Sequence, residues 1–222
     1  MGIVKGAIGK GIDMIAICDH NSAENTRAVI EAAEQTGLTV LPGMEVTSKE
    51  EVHILSIFSL PEDAARMQEL VYNNLEGVND ESAFGMQVIV EADGTVTGCN
   101  DRLLIGATDM SLEHIVRAIH MHHGLAIAAH IDRPGFGILG QLGFIPNDLD
   151  LDALEISARI SIEDATTSYS EYSAYPIVRS SDAHFLDAIG SGMTPLMVGA
   201  ASFTEFQMAL RGEQGRYICY EG

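Results

Sequence analysis

The sequence predicts an α/β fold, and we expect its strands to form a β/α barrel. Short apolar runs that do not alternate with polar residues, such as Met14–Cys18, recur along the chain, which is typical of strands buried on both faces. Amphipathic helical segments separate these runs. Side chains able to bind metals follow the runs at several places, as Asp19 and His20 do. About six such strands, with these side chains at one end, favour a barrel over an open sheet.

The first half of the chain is predicted to form helix, strand, helix, strand, strand and helix. In order, these elements are 2–10, 12–18, 22–36, Leu38–Leu41, Val52–Phe58 and a helix that opens at Pro61. Asn21 and Glu24 have the spacing of a capping box at the start of the second helix. The second strand brings Glu45 to its C-terminal end, and the third carries His53 near its start.

The second half follows an insertion at about 73–110, in which two strand-like segments flank the hairpin signal Ala92-Asp93-Gly94. It is predicted to form a helix, three strands and a closing helix. These are Ser111–His123, Leu125–Ala129, Leu154–Ser157, Pro176–Ser180 and Phe203–Leu210. We expect residues 1–222 to form one domain that carries the insertion.

The composition is that of a globular protein with a substantial core, since 46% of the 222 residues are hydrophobic and 20% are charged. No apolar run reaches the roughly 18 residues that span a membrane, and no basic-then-apolar leader opens the sequence. The three cysteines, Cys18, Cys99 and Cys219, are widely spaced and odd in number. We therefore expect a reducing, cytoplasmic location without membrane contact.

The net charge of −20 bears on the partner of this protein. Such an acidic surface repels polyanions, so we expect a small phosphorylated substrate rather than a long nucleic acid. Bound divalent cations would supply the positive charge that a phosphate group needs. The sequence makes no prediction about the oligomeric state.

Seven side chains of metal-binding type lie at or near the ends of predicted strands. They are Asp19, His20, Glu45, His53, His130, Asp182 and His184. Imidazole and carboxylate groups suit zinc, manganese or iron, and two ions about 3.5–4 Å apart can activate a water and hold a phosphoryl group. One such histidine alone is more often a hydrogen-bonded core residue, so the prediction depends on the whole set. His114, His120, His122 and His123 share one predicted helix, and we expect them to be surface or packing residues.

Arg133 follows His130 by three residues at the same end of the predicted strands. An arginine in this place could bind a phosphate through two parallel hydrogen bonds. It could equally be a loop residue that pairs with one of the many acids. Ser180 and Ser181 have no general base at a fixed spacing, which argues against a serine nucleophile.

Five motifs occur in order along nearly the whole chain. They are Ile17-Cys18-Asp19-His20-Asn21, Gly43-Met44-Glu45-Val46, Val52-His53-Ile54-Leu55, Ala129-His130-Ile131-Asp132 and Ser181-Asp182-Ala183-His184. These motifs resemble those of the PHP domain, the polymerase and histidinol phosphatase superfamily. The resemblance implies a distorted seven-stranded β/α barrel with up to three divalent metals at the strand C-terminal ends. It also implies hydrolysis of phosphate esters by a metal-activated water.

The resemblance assigns a role to each matching residue. Glu45 would bridge metals, and His53 and His130 would complete one metal site with it. Asp182 would bind a second metal, His20 and His184 would bind a third, and Asp19 would orient or polarise the site. The family opens with a strand carrying His-x-His, which this sequence lacks before its first helix. We therefore expect a barrel without its first strand, in which the Glu45–His53–His130 set is complete.

Two functions remain open. The first is a metal-dependent phosphoesterase in which Arg133 holds the phosphate and a water is the nucleophile. The second is a truncated, non-catalytic metal-binding domain, which the lack of His-x-His favours. A metal-dependent amidohydrolase shares the barrel and the ligand types, but it often needs a bridging carboxylated lysine. Lys5, Lys10 and Lys49 do not end buried strands, so this function ranks last.

Overall fold

The computed structural model of the protein describes residues 2–220 and has a mixed α/β fold, as predicted. Its helices are α1 (Gly2–Gly9), α2 (Thr26–Ala33), α3 (Pro61–Asn73), α4 (Glu81–Phe84), α5 (Leu112–Met121), α6 (Ile138–Leu142), α7 (Ile162–Ser168) and α8 (Phe203–Arg211). Its strands are β1 (Met14–Ile17), β2 (Thr39–Thr47), β3 (His53–Ile57), β4 (Val88–Val90), β5 (Val96–Cys99), β6 (Leu125–Ala128), β7 (Ala153–Ile156), β8 (Ile177–Arg179), β9 (Leu196–Met197) and β10 (Tyr217–Ile218).

Six strands form one curled sheet in the order β1-β2-β3-β6-β7-β8. The sheet is a half barrel, which confirms the expected distorted-barrel class. β3 runs antiparallel to both β2 and β6, whereas the other neighbouring pairs are parallel. The predicted β/α barrel implies parallel strands, and this is wrong for β3, because the few residues between β2 and β3 allow a hairpin but no crossover. The loss of a first strand stays a prediction.

β2 is longer than the predicted strand Leu38–Leu41, because it continues through Glu45 to its end at Thr47. Gly43 makes this continuation possible. A Cβ atom at this position would lie 2.6 Å from the carbonyl oxygen of Ser56 and 2.9 Å from Sγ of Cys18. Glu45 therefore lies within a strand that is paired on both sides, whereas the predicted strand ended at Leu41, before this residue.

The helix α2 begins at Thr26, several residues later than predicted, and its N-cap is Asn25. The capping box of Asn21 and Glu24 is therefore wrong. Asn21 has a φ of +48°, in the left-handed region where a helix cannot start. The residues after β1 form a loop, because the buried side chain of Asn21 bonds to backbone groups outside the helix.

The expected β-hairpin insertion is confirmed, since β4 and β5 pair antiparallel around Asp93 and Gly94. Asn25, the N-cap residue of α2, attaches this hairpin to the start of that helix. Its side chain donates to the carbonyl oxygen of Val88 over 3.1 Å and accepts from the amide of Val90 over 3.0 Å. The asparagine thus pairs with the edge of β4 much as a neighbouring strand would.

Alternate residues of the main sheet face two apolar layers. On one face the sheet packs against side chains of α3 and α5, including Met67, Val71, Ile115 and Ile119. On the other face Leu41, Ile127 and Val178 pack with Phe203 and Phe206 of α8. This second face also borders a cleft of about 1350 Å³, whose walls include Glu45 and Glu155. Within the described part of the chain, no helix is long and apolar enough to span a bilayer.

Candidate metal centre

Three neighbouring strands bring His20, Glu45 and His53 together. His20 follows the C-terminal end of β1 and lies beside Glu45 of the parallel strand β2. His53 is the first residue of β3, and its antiparallel direction places this residue at the same end of the sheet. His130 lies just after β6. The strand directions therefore explain why a histidine at a strand start meets histidines that follow strand ends.

Glu45 is the centre of this group and is 4% exposed. Its Oε1 atom lies 3.0 Å from Nδ1 of His53 and 3.2 Å from Nε2 of His130. Its Oε2 atom lies 3.1 Å from Nδ1 of His20. Ligand atoms of His20, Glu45 and His53 all lie within 4.8 Å of one another. Three imidazoles thus converge on one buried carboxylate.

The residues present fit a divalent metal. The Nδ1 atoms of His20 and His53 are buried and lie near Glu45, yet neither has a hydrogen bond of acceptable geometry. Two ligands of one tetrahedral zinc, each about 2.0–2.1 Å from it, are about 3.3 Å apart. The 3.0–3.1 Å contacts with Glu45 are close to that value. A buried donor set of imidazoles and a carboxylate suits zinc, manganese or iron.

The electrostatics of the group favour an ionised carboxylate. Burial acts to raise the pKa of Glu45, but the hydrogen bond from His130 and the contact with His53 outweigh it and hold that pKa well below its usual value. Burial lowers the pKa of His20, although the charge of Glu45 partly opposes this shift. A negative Glu45 beside a neutral His20 is the protonation state that metal binding requires.

Asp182, His184 and Arg133 form a second group. Nη1 of Arg133 lies 2.6 Å from Oδ2 of Asp182, and Nδ1 of His184 lies 3.7 Å from Oδ1 of the same carboxylate. The side chain of His184 is 59% exposed, and its ring centre is 6.0 Å from that of His20. His20 thus contacts Glu45 directly, and its grouping with His184 in one metal site stays a prediction.

Asp19, predicted to orient the site, borders the cleft next to His20. Its backbone oxygen accepts from the amide of Glu45 over 3.0 Å. Its Oδ2 atom accepts a 3.4 Å hydrogen bond from Asn25, the residue that holds the hairpin. Burial raises the pKa of Asp19, and the bond from Asn25 opposes that shift. The roles of all predicted site residues stay predictions.

Two residues next to the centre were missed by the sequence analysis. The ring of Phe136 stacks on that of His53, with centres 4.5 Å apart, although its backbone φ of +62° is unusual for phenylalanine. Glu155 lies inside β7, is 2% exposed and accepts from the amide of His130 over 2.9 Å. An acid in the otherwise apolar strand Ala153–Ile156 was a visible signal, since an unpaired buried carboxylate is costly. Phe136 had no comparable signal.

Comparison with known proteins gives one match to a curated sequence. An uncharacterised protein of Bacillus subtilis, YqxK, is 36% identical over 100 residues, which are 43% of this chain and 26% of that protein. No family model matches the chain. The match covers too little of either protein to transfer an activity.

Solved structures show a likeness over nearly the whole chain. The lesion-specific endonuclease Q of Pyrococcus furiosus has a TM-score of 0.72 at 20% identity, over 98% of this chain and 52% of the endonuclease. An endonuclease Q bound to a 27-mer duplex with an abasic lesion at its active site has a TM-score of 0.75 at 19% identity. A provisionally assigned metal-dependent phosphoesterase of Bifidobacterium adolescentis has a TM-score of 0.57 at 17% identity, over 92% of this chain and 87% of that protein.

The chain spans about half the length of the endonuclease and about a quarter of YqxK. At these identities the structural likeness establishes the fold. The chain has a distorted barrel fold of the type shared by endonuclease Q and the phosphoesterase, as its resemblance to the PHP domain led us to expect.

Proposed function

We propose that this chain is a metal-dependent phosphoesterase domain. The observation that carries the proposal is the convergence of His20, His53 and His130 on the buried carboxylate of Glu45, at the edge of an open cleft. Divalent ions, when bound, supply Lewis-acid polarisation of a phosphoryl oxygen and ease the deprotonation of a water. The fold shared with a phosphoesterase and an endonuclease supports the same reaction class.

The side chains of this site have separate tasks in the proposal. Glu45 stays ionised and offers both oxygens, while His20, whose pKa is lowered by burial, offers a neutral ring nitrogen. Arg133, which Asp182 holds through Nη1, donates to a phosphate oxygen in this proposal. Asp19 and Asn25 connect this site to the hairpin that stands beside it.

The proposed substrate is a phosphate ester of a small molecule or a nucleotide. The net charge of −20 weakens the approach of a long polyanion, whereas a small ester needs to reach only the ions and Arg133. Duplex DNA with an abasic lesion is the contrasting substrate, since an endonuclease Q of the same fold binds it. A direct comparison of the two decides between them.

The test measures metal content and hydrolysis on the same protein. The chain is loaded with Zn²⁺ or Mn²⁺, analysed for bound metal and assayed with aryl phosphate mono- and diesters, nucleotides and abasic duplex DNA. Glu45→Gln and His130→Ala should each lose metal and activity while keeping the far-UV spectrum of the wild type. His114→Ala, an exposed histidine of α5, is the matched control and should retain both. Full metal-dependent activity in His130→Ala would contradict the proposal.

A second candidate is a metal-binding domain without hydrolytic activity. The observation that favours it is the ion pair between Arg133 and Asp182, which occupies a carboxylate that the resemblance assigns to a second metal. One ion per chain, with no hydrolysis of any ester in the panel, would establish this candidate. Two or more ions with activity would exclude it, because two-metal chemistry needs the second site.

A further inference from the structure

Glu155 lies in β7, lines the cleft and bonds to residues that follow the two neighbouring strands. Its Oε2 atom accepts from the amide of His130 after β6, and its Oε1 atom accepts from the hydroxyl of Ser180 after β8. Its backbone oxygen also accepts from the amide of Ile131 over 2.8 Å. Two consecutive amides, those of His130 and Ile131, are therefore fixed by a single residue.

The backbone of His130 is strained at this point. Its φ is +30°, in the left-handed region that costs a side-chain-bearing residue free energy unless its surroundings compensate. The two hydrogen bonds to Glu155 hold this conformation. They set the direction of the imidazole, whose Nε2 atom reaches Oε1 of Glu45 at 3.2 Å.

We infer that Glu155 is a positioning residue of the proposed metal centre, which aims His130 at Glu45 by holding the His130 amide. This inference rests on the proposed function, because it assigns His130 a place in the metal centre. Glu155 acts through the backbone of His130 and need not touch the metal. Replacing a residue that holds a metal ligand in its orientation typically lowers the metal affinity by about 10–100-fold.

The test compares two uncharged replacements of similar size. In Glu155→Gln the side-chain oxygen can still accept from the His130 amide, and the amide nitrogen can donate to Ser180. Glu155→Met fills the same space but offers no acceptor. Both variants remove the negative charge, so a difference between them reports the hydrogen bond to His130 rather than the charge.

The readouts are Zn²⁺ affinity, measured by competition with a chromophoric chelator, and the absorption spectrum of the Co²⁺ form. We expect Glu155→Gln to bind Zn²⁺ within about 3-fold of the wild type, and Glu155→Met to bind about 10–100-fold more weakly with an altered Co²⁺ spectrum. Asp132→Ala is the matched control. Its carboxylate also joins β6 and β7, through the amide and hydroxyl of Ser157 at 2.7 and 2.6 Å, but it does not bond to His130. This control should lose stability and keep its Zn²⁺ affinity.

If Glu155→Met does not fold, Glu155→Asp replaces it in the test. The aspartate side chain is shorter by one methylene, so it keeps the charge but lies farther from the amide of His130. Wild-type Zn²⁺ affinity in a folded Met or Asp variant overturns the inference. A loss of Zn²⁺ affinity in the Gln variant as large as that in the Met variant also overturns it. Absence of Zn²⁺ binding by the wild type also overturns it. Hydrolysis of esters is measured separately. Zn²⁺ binding without any ester cleavage would refute the phosphoesterase. The role of Glu155 would still be decided by the ratio of Zn²⁺ affinities between the Gln and Met variants.

Discussion

Arg133 and Asp182 form a close ion pair, with Nη1 of the arginine 2.6 Å from Oδ2 of the aspartate. Both side chains are largely shielded from solvent, at 27% and 19% exposed. The Nε–H of Arg133 is buried without a partner in residues 2–220. In the proposed function the guanidinium, already held on one side by Asp182, binds an oxygen of the phosphate.

Replacement of Arg133 should therefore reduce turnover more than metal binding. We expect Arg133→Met to lower kcat/KM for an aryl phosphate ester about 100-fold, and Arg133→Lys to lower it about 10-fold, because lysine keeps the charge but cannot form two parallel hydrogen bonds. Steady-state kinetics and metal analysis check this on the same samples. If both variants hydrolyse the ester at the wild-type rate, Arg133 only pairs with Asp182.

Gly43 is the position where β2 passes closest to its neighbours. In Gly43→Ala the new methyl group would meet the carbonyl oxygen of Ser56 at 2.6 Å, and neither strand can move freely. We expect a loss of about 1–3 kcal/mol in the free energy of unfolding, together with weaker metal binding because Glu45 is two residues away. Urea unfolding measures the first and chelator competition the second.

The control for this variant is Gly9→Ala at the end of α1, where an added methyl group has no neighbour within 4 Å. It should be neutral or slightly stabilising, since alanine suits a helix better than glycine. If Gly43→Ala and Gly9→Ala have the same free energy of unfolding, β2 and β3 can move apart to admit the methyl group without a loss of stability.

The sequence predicted the strands well because β1, β3 and β6 are short apolar runs with clear ends. It placed Glu45 outside a strand, because Pro42 and Gly43 are usual signals for a turn. Nothing local revealed that Gly43 serves a close approach to Ser56, a residue of another strand. Long-range contacts of this kind are absent from patterns of neighbouring residues.

The sequence likewise predicted which residues belong to the candidate site, but not how they contact one another. His20 and His130 could be found because each follows an apolar run, but their distances to Glu45 depend on how the strands pair. The antiparallel direction of β3, which brings His53 to the site, follows from the short connection after β2 and could have been inferred. The partner of Arg133 could not have been inferred from the sequence, because Asp182 is distant along the chain and is one of 32 acidic residues.

Asn21 should be important for stability. It is fully buried and joins the end of β1 to the insertion. Its side chain accepts from the amide of Thr47 over 3.0 Å and donates to the carbonyl oxygens of Leu104 and Gly106, both at 2.8 Å. Asn21→Ala removes three hydrogen bonds and leaves the buried amide of Thr47 without a partner, so we expect the free energy of unfolding in urea to fall by about 3 kcal/mol.

Asn79→Ala is the matched control for this asparagine. Its side chain donates to the carbonyl oxygen of Gly85 within the insertion and lies near the surface, so its loss should cost less than about 1 kcal/mol. Limited proteolysis adds a second readout, because Asn21→Ala should expose residues 77–108 to cleavage well before the rest of the chain. Equal stability of the two variants would mean that the insertion is held by other contacts.

The pair of His120 and Asp152 predicts how stability depends on pH. Nε2 of His120 lies 2.9 Å from Oδ2 of Asp152, and this hydrogen bond raises the pKa of the histidine despite its partial burial. Because the pKa in the folded chain lies above the ordinary value of 6.5, the pair stabilises the protein fully below that value. The stabilisation is lost as the pH rises through the raised pKa.

His120→Gln should therefore destabilise the protein by at most about 1 kcal/mol near pH 5.5 and by much less near pH 9, since the side chain of His120 is partly exposed and solvent weakens the pair. Urea unfolding of wild type and variant at both values, with excess chelator to remove metal effects, measures the difference. His114→Gln on the same helix controls for the loss of an imidazole that is exposed to solvent. A cost for His120→Gln that is equal at the two pH values would show that the histidine contributes by packing rather than by its charge.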